Sequence, residues 1–227
     1  NKYNINIMFG KTLVIAPHLD DETIALGGTI KKITKSKLEI HVLIIGGHLP
    51  PLYKKEDYII TKKESFRALR KLGVKNYHYL DLPATQFHKE HYQTMNNNMY
   101  KIIKKVNPKT VFIPFPDRHI DHRTVFDCAM VNTRPNKKKY PNYVLSYETL
   151  SETHWNAPYI EPNFVPDFFV NIDKTIESKL KAIKSYKSQI KGNSSRSLLS
   201  VKALAKFRGS QNGCEYAEAF KLIRAII

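Results

Sequence analysis

Two short segments of the chain concentrate side chains that can hold a metal ion and move protons. The residues are His18, Asp20, Asp21, His119, Asp121 and His122. Two histidines and one carboxylate can hold a divalent metal while leaving positions open for water and substrate, and these donors suit Zn²⁺ first and also Fe²⁺. A bound metal lowers the pKa of its water toward about 7, and a second carboxylate can then take the water's proton. Metal-assisted hydrolysis is the chemistry that these residue types predict.

The spacing within each segment suggests how the tasks divide. Asp20 and Asp21 are adjacent. One can therefore ligate the metal while the other acts as general base, because successive side chains in a loop point in different directions. His119 and His122 are three residues apart, so that one can ligate while the other faces the reacting carbonyl. Asp121 can fix the orientation and tautomer of a neighbouring imidazole. The residue types alone leave the assignment within each pair open.

Each segment follows a predicted strand. Short β-branched runs at Thr12–Ala16 and Thr110–Pro114 predict buried strands. Further strands are predicted at residues 38–45 and 77–80, and helices at residues 23–35, 56–71, Tyr92–Val106 and 120–131. This alternation predicts an α/β fold, Rossmann-like, with a mostly parallel sheet and helices on both of its faces.

The predicted sheet brings the two segments together. Sheets of this class bind ligands outside the carboxyl ends of their strands, where the strand order reverses. In the common order 3-2-1-4, that point lies between the first and fourth strands. Taken alone, an acidic run before a helix simply suits the helix dipole, and H-x-D-H can be polar surface. Their coincidence at matching strand ends favours a functional site.

The turn after the first strand argues against a dinucleotide-binding protein. Such a protein would place G-x-G-x-x-G there, so that a pyrophosphate could approach the helix N-terminus. Here the turn holds Asp20, Asp21 and Glu22. Three carboxylates repel a pyrophosphate and suit a cation. Gly27 and Gly28 fall inside the following helix, where they indicate close packing.

The chain from about residue 132 is rich in loops and prolines. The elements predicted there are strands at Tyr143–Tyr147 and 168–172, a helix capped by Asp173 and running to about Ile190, an exposed loop at 191–196 and two helical pieces at the end. No repeat or linker divides the sequence. We therefore expect one domain over residues 1–227, with a loop-rich substrate-binding half from about residue 132.

The composition is that of a globular protein with an unusual charge. Hydrophobic residues make up 42%, and 37 lysines and arginines against 20 acidic residues give a net charge of +17. Three interpretations of this charge stay open. They are binding to nucleic acid, attraction to an anionic substrate or membrane surface, and a lysine-rich composition with no specific role.

Cysteine usage and hydropathy indicate a compartment. Cys128 and Cys214 lie far apart in the sequence, which predicts free thiols in a reducing environment. No apolar run approaches the roughly 20 residues that span a bilayer, and the first residues lack the apolar core of a signal peptide. We expect a cytoplasmic protein without a transmembrane segment, and leave peripheral membrane contact and oligomeric state open.

At the candidate site residues the chain resembles the LmbE-like, or PIG-L-type, N-acetylglucosaminyl de-N-acetylases. That family carries an A-H-P-D-D-E-type motif after the first strand and a later H-x-D-H motif. Here they read APHLDDE at residues 16–22 and HIDH at residues 119–122, with Pro17 inserted before the histidine and Leu19 replacing the usual proline. The resemblance extends to Glu64, Ala68, residues 72–74, residues 179–189 and residues 217–220.

The resemblance implies a zinc-dependent N-deacetylase acting on N-acetylglucosamine-type conjugates. The metal ligands that it implies are His18, Asp21 and His122. Asp20 would be the general base that activates the water, His119 would stabilise the oxyanion, and Asp121 would orient His119. The residue that protonates the departing amine, Asp20 or His119, stays open.

Substrate contacts are less specified. Many relatives carry an arginine three residues before Glu64, where this chain has Thr61, and Lys62 or Lys63 is expected to substitute. The family's usual substrates are thiol precursors, lipid-linked sugars, nucleotide sugars and antibiotic intermediates, and the positive charge favours an anionic conjugate. Trp155 could stack on a sugar face, although a buried structural role is commoner, and Arg208 could contact an anionic group.

Two other functions compete with this one. The first is an amide hydrolase with the same metal site and a substrate that is not a sugar. The second, more remote, is a basic nucleic-acid-binding module without catalysis, which the presence of all six site residues disfavours.

Overall fold

The computed structural model describes residues 8–89, 91–135, 139–190 and 194–227. Within them the strands are β1 Thr12–Ala16, β2 Ile40–Gly47, β3 Asn76–Pro83, β4 Thr110–Pro114, β5 Tyr143–Tyr147, β6 Phe168–Asn171 and β7 Ala217–Ala225. The helices are α1 Asp21–Lys35, α2 Lys55–Leu72, α3 Tyr92–Val106, α4 Ile120–Asn132, α5 Ile176–Ile183 and α6 Leu198–Ser210, with a short 3₁₀ turn at Thr153–Trp155.

The strands form one sheet in the order β3-β2-β1-β4-β5-β7-β6. Strands β1 to β5 run parallel, and β7 pairs antiparallel with both β5 and β6. Thr12 at the start of β1 is in register with Ile40 on one side and Thr110 on the other. The predicted 3-2-1-4 order, with its reversal between β1 and β4, is confirmed.

Helices cover both faces of the sheet, which confirms the predicted α/β fold. On one face, α1, α2, α5 and α6 pack over alternate strand residues such as Val14 and Phe112. On the other face, α3 and α4 pack over Leu13, Ile15 and Val111. The residues of β1 are buried throughout, because a parallel strand covered on both faces has no polar side. This explains why β1 and β4 read as unbroken apolar runs.

Two predictions in the second half of the chain are wrong. The last element is the strand β7, and not a helix, because it pairs with β5 and β6 across large sequence separations. Helix α5 ends at Ile183, and its N-cap is Thr175. Asp173 does not cap it, since the Asp173 Oδ1 atom accepts the Tyr216 N–H at 2.7 Å.

Helix α1 is held by a buried acidic residue of β7. The helix is interrupted at Leu26, whose φ and ψ are −133° and 27°. Beyond the interruption, the Glu218 carboxylate accepts the N–H groups of Gly28 and Thr29 at 2.8 and 2.6 Å. A Cβ atom on Gly28 would lie 2.9 Å from the side chain of Ile172. The close packing predicted for this glycine pair is therefore confirmed.

Two features bear on the predicted compartment. Cys128 and Cys214 are both free thiols. In the described part of the chain, no helix combines the length and the apolar character needed to cross a membrane.

Candidate metal centre

The two motifs meet at the carboxyl ends of β1 and β4. Strand β1 leads through His18 directly into α1, which begins at Asp21. Strand β4 leads into α4, whose N-cap is His119. Ligand atoms of His18, Asp21 and His122 all lie within 4.8 Å of one another.

Asp21 stands between the two histidines of this group. Its Oδ2 atom lies 3.2 Å from His18 Nδ1 and 3.4 Å from His122 Nε2, and it also accepts the backbone N–H of His18 at 3.0 Å. Asp21 and His122 are buried, and His18 is half-buried. The three side chains therefore present one oxygen and two nitrogens to a common point.

Each histidine is held from behind by a second carboxylate. His18 Nε2 lies 2.9 Å from Asp121 Oδ2, and His122 Nδ1 lies 2.9 Å from Asp117 Oδ2. Donating these ring protons outward leaves the Nδ1 lone pair of His18 and the Nε2 lone pair of His122 facing Asp21. His122 Nε2 is buried and makes no hydrogen bond to the described residues. The donor set and this unsatisfied atom fit a divalent metal.

The electrostatics of His18 and His122 also favour a cation between the two imidazole rings. Burial alone would lower the pKa of His18, but hydrogen bonds to Asp121 and Asp21 raise it to about 9. Burial likewise opposes the charge of His122, yet Asp21 and Asp117 raise its pKa to about 10. A cavity that stabilises protonated imidazoles so strongly is one in which a metal ion can take the place of the protons.

His119 is set up as a neutral hydrogen-bond donor. Its Nδ1 atom accepts the backbone N–H of Asp121 at 3.1 Å, so the ring proton resides on Nε2. Burial, with the positive charges of His18 and His122, lowers the pKa of His119 to about 4. A second group of three, His18, His119 and Asp121, also has ligand atoms within 4.8 Å. There, however, Asp121 already binds the ring of His18, and His119 Nδ1 is occupied.

The partner of Asp121 differs from the expected one. Its carboxylate does not bind the His119 ring; Oδ2 binds His18 and accepts the backbone N–H of Thr85 at 2.6 Å. Thr85 has a left-handed φ of 69°, which is unusual for a β-branched residue and directs its N–H to Asp121. Asp121 therefore orients the predicted ligand His18 with its carboxylate, and it bonds to the His119 ring only through its backbone N–H.

Asp117 is a site residue that the sequence reasoning missed. Its Oδ2 atom binds His122 Nδ1 and accepts the hydroxyl of Thr153 at 2.8 Å, while Oδ1 accepts the His119 N–H at 3.0 Å. One signal was available, because Asp117 lies two residues before His119 in the same polar run after β4.

Asp20 faces the cavity beside this centre. Its side chain is almost completely buried, and its Oδ2 atom lies 3.3 Å from Arg196 Nε. Burial raises the pKa of Asp20, and the charge of Asp21 adds to the effect, although Arg196 opposes it. A carboxylate with a raised pKa is suited to taking and returning a proton.

The cavity over the centre has a volume of about 60 Å³. Its walls come from the loops after β1, β2, β3 and β4, from α2 and from the segment that follows α5. The lining residues are His18, Leu19, Asp20, Gly47, His48, Tyr53, Thr61, Ala84, Thr85, His119, Gln189 and Arg196. Thr61 thus lies at the cavity, but Lys62 does not substitute for an arginine there, because its Nζ atom binds Asp81 at 2.6 Å.

Neither predicted substrate contact lines this cavity. Trp155 is 68% exposed, against the buried structural role expected for it. Arg208 is buried and donates from Nε and Nη2 to the two carboxylate oxygens of Glu148 at 2.8 and 2.7 Å. A buried guanidinium needs such a matched partner, so Arg208 is committed to the core and is not available to an anionic substrate.

Known proteins are similar to this chain in sequence and in fold. A diacetylchitobiose deacetylase from Thermococcus kodakarensis is 27% identical over 237 residues, which covers 95% of this chain and 84% of that protein. A probable N-acetyl-α-D-glucosaminyl L-malate deacetylase 2 from Bacillus anthracis is 24% identical over 189 residues, with coverages of 78% and 80%. The structure of N,N'-diacetylchitobiose deacetylase from Pyrococcus horikoshii superposes with a TM-score of 0.76 at 25% identity, covering 98% of this chain and 87% of that one.

The family profile described as PIG-L, GlcNAc-PI de-N-acetylase, matches residues 13–132. The match contains both motifs, and with them His18, Asp20, Asp21, Asp117, His119, Asp121 and His122. It also spans more than half of the chain. The chain therefore belongs to the PIG-L family of de-N-acetylases.

Proposed function

We propose that this protein is a metal-dependent hydrolase that removes the N-acetyl group from an N-acetylglucosamine-type conjugate. The observation that carries the proposal is the group of His18, Asp21 and His122, in which each histidine also binds a second carboxylate, Asp121 or Asp117. Family membership supports the reaction, and relatives named as chitobiose and glucosaminyl-malate deacetylases support an amino-sugar substrate.

Under this proposal His18, Asp21 and His122 would hold Zn²⁺, with Fe²⁺ as the other ion suited to these donors. When bound, the ion would supply a Lewis acid that polarises the acetamide carbonyl and acidifies water. The two ring nitrogens of each histidine have separate tasks. His18 Nδ1 and His122 Nε2, which face Asp21, would ligate the ion. His18 Nε2 is fixed by Asp121, and His122 Nδ1 is fixed by Asp117.

The remaining residues would move protons and stabilise charge. Asp20 takes a proton from the water as its oxygen attacks the acetamide carbon. His119, neutral at pH 7 because of its lowered pKa, donates its Nε2 proton as a hydrogen bond to the developing oxyanion. The C–N bond then breaks, and Asp20 returns its proton to the amine, which leaves with acetate as the second product. We assign the acid step to Asp20 because neutral His119 would have to give up its only ring proton.

Acetate release from a panel of conjugates tests the reaction. The panel contains diacetylchitobiose, an N-acetylglucosaminyl malate, a nucleotide-linked and a lipid-linked N-acetylglucosamine, and a non-sugar acetamide. We expect zinc-loaded protein to release acetate from at least one sugar and chelation to abolish release. Exclusive activity on the non-sugar acetamide would overturn the substrate class and leave the metal-dependent hydrolase in place.

Two variants separate metal binding from proton transfer. Asp20→Asn should retain one zinc and lose about 10²- to 10⁴-fold in turnover, the usual contribution of a general base. His122→Ala should lose both zinc and activity. Asp127→Asn, an exposed change on the same helix α4, is the control and should match the wild type. Normal turnover by Asp20→Asn would contradict the assigned base.

The predicted cytoplasmic location is a separate proposal, which fractionation of the source cells would test.

A further inference from the structure

Arg196 is a cationic side chain in the cavity that the mechanism above does not use. Its Nε atom lies 3.3 Å from Asp20 Oδ2, and its Nη2 atom lies 3.7 Å from Glu152 Oε1. The side chain is only 34% exposed. Even so, Arg196 makes no hydrogen bond to any residue in the described part of the chain, and its Nε atom is buried without a partner.

The absence of hydrogen bonds to described residues distinguishes the half-buried Arg196 from Arg208, a buried arginine of the same region. Arg208 donates to both oxygens of Glu148 at hydrogen-bond distance, as a structural arginine should. Arg196 lies close to the carboxylates of Asp20 and Glu152 but forms a hydrogen bond with neither. A guanidinium carries five N–H donors, and buried donors are normally satisfied. The buried Nε donor of Arg196 and the donors that face the cavity are therefore available to an acceptor that enters it.

Arg196 is also the only lysine or arginine among the described residues that line the cavity. Thr61 is neutral, and Lys62 is occupied by Asp81 outside it. A negatively charged part of a substrate would therefore form its charge-assisted hydrogen bonds in this cavity with Arg196. The net charge of +17 would add a long-range attraction for the same substrate.

We propose that Arg196 determines specificity by binding a carboxylate or phosphate on the group attached to the amino sugar. This inference rests on the proposed function. Because the guanidinium is beside Asp20, the anion must lie close to the reacting amide. In N-acetylglucosamine the acetamide is on C2, whose ring neighbours are C1 and C3. The attached group of a glycosidic conjugate is joined at the anomeric carbon C1, so an anion in that group can reach Arg196 from there. The substrate class is then an N-acetylglucosamine with an acidic anomeric substituent.

The test compares conjugates that differ only in charge. The substrates are the L-malate glycoside of N-acetylglucosamine, its dimethyl ester and N-acetylglucosamine 1-phosphate, each assayed by acetate release with zinc-loaded protein. The variants are Arg196→Gln, which removes the charge, and Arg196→Lys, which keeps the charge without the planar fork. Lys187→Gln is the matched control, because it removes one exposed charge two residues from cavity-lining Gln189.

We expect the wild type to prefer an anionic conjugate to the diester. In Arg196→Gln, KM for that anionic conjugate should rise at least about tenfold, the loss typical of one charge-assisted hydrogen bond. Loss of the charge beside Asp20 should change kcat for the anionic conjugate and for the diester by the same factor, Arg196→Lys should fall in between, and KM for the diester should be unchanged. The preferred anion, malate or phosphate, identifies whether a carboxylate or a phosphate is the natural partner.

Several results would overturn the assignment. An equal fall in kcat for charged and neutral conjugates, with KM unchanged for both, would mean that Arg196 only positions Asp20. An anion preference that survives in Arg196→Gln would mean that another group, such as the metal, binds the anion. An equal effect of Lys187→Gln would reduce the result to the general field of the protein.

Failure of the proposed function gives a different pattern. If the wild type releases acetate from none of the conjugates, the deacetylase proposal fails, and titration calorimetry of the same conjugates decides the role of Arg196. Tighter binding of an anionic conjugate that Arg196→Gln abolishes would support the anion site. Equal binding of charged and neutral conjugates by both proteins would overturn it.

Discussion

Asp117 shows how much a single residue behind a ligand contributes to the centre. It fixes the ring of His122, and the Thr153 hydroxyl and the His119 N–H hold it in place. Replacing Asp117 with asparagine keeps the size of the side chain but removes the charge that favours the required tautomer. We expect Asp117→Asn to weaken zinc binding about 10- to 100-fold, as is typical of such partners.

Competition titration with a chromogenic chelator measures this loss. Asp127→Asn, on the exposed side of α4, should bind zinc like the wild type. Thermal unfolding of both metal-free variants separates a lost orientation from a lost fold. Unchanged zinc affinity in a folded Asp117→Asn would show that the backbone alone orients His122.

Helix α1 and strand β7 are joined by a buried carboxylate. Glu218 accepts the N–H groups of Gly28 and Thr29 beyond the interruption of the helix, and it pairs with Lys179 Nζ at 2.7 Å. Glu218 and Lys179 are both buried. Glu218→Ala would leave the buried Lys179 ammonium without its counter-ion and two N–H groups without the carboxylate that accepts them. We expect it to lower the free energy of unfolding by about 3–5 kcal/mol.

Urea unfolding of metal-free protein measures this change, with Glu215→Ala as the control. Glu215 pairs with Lys206 at 3.4 Å on the surface, so its loss should cost less than about 1 kcal/mol. A Glu218→Ala protein within about 1 kcal/mol of the wild type would mean that α1 and β7 are held by their apolar contacts alone.

Charge is the property that belongs to the whole molecule. With a net charge of +17, the protein should attract anionic substrates electrostatically. Salt weakens this attraction, since the screening length is about 10 Å at 0.1 M ionic strength. We expect kcat/KM for an anionic conjugate to fall steeply as ionic strength rises, while that for the neutral diester stays nearly constant. Stopped assays over a series of salt concentrations measure this. Parallel behaviour of the two conjugates would indicate that the charge has no role in substrate capture.

The sequence by itself determined the two halves of the centre and the sheet that joins them. Apolar runs such as Thr12–Ala16 and Thr110–Pro114 are local signals, and both strands end at the predicted residues. Parallel strands share an edge, so the motifs that follow β1 and β4 had to meet. The six-residue candidate set therefore followed from periodicity, strand order and the family's motifs without coordinates.

Only the tertiary structure decided which groups touch. The bond between His18 and Asp121 joins residues 103 apart, and β7 becomes a strand by pairing with β5 and β6. Arg196 enters the cavity while Arg208 turns into the core, although the sequence offers both as basic residues near polar stretches. The physical reason is that each outcome depends on burial and on partners from distant segments. Local residue patterns indicate which strands are buried, but they carry no information about partners from distant segments.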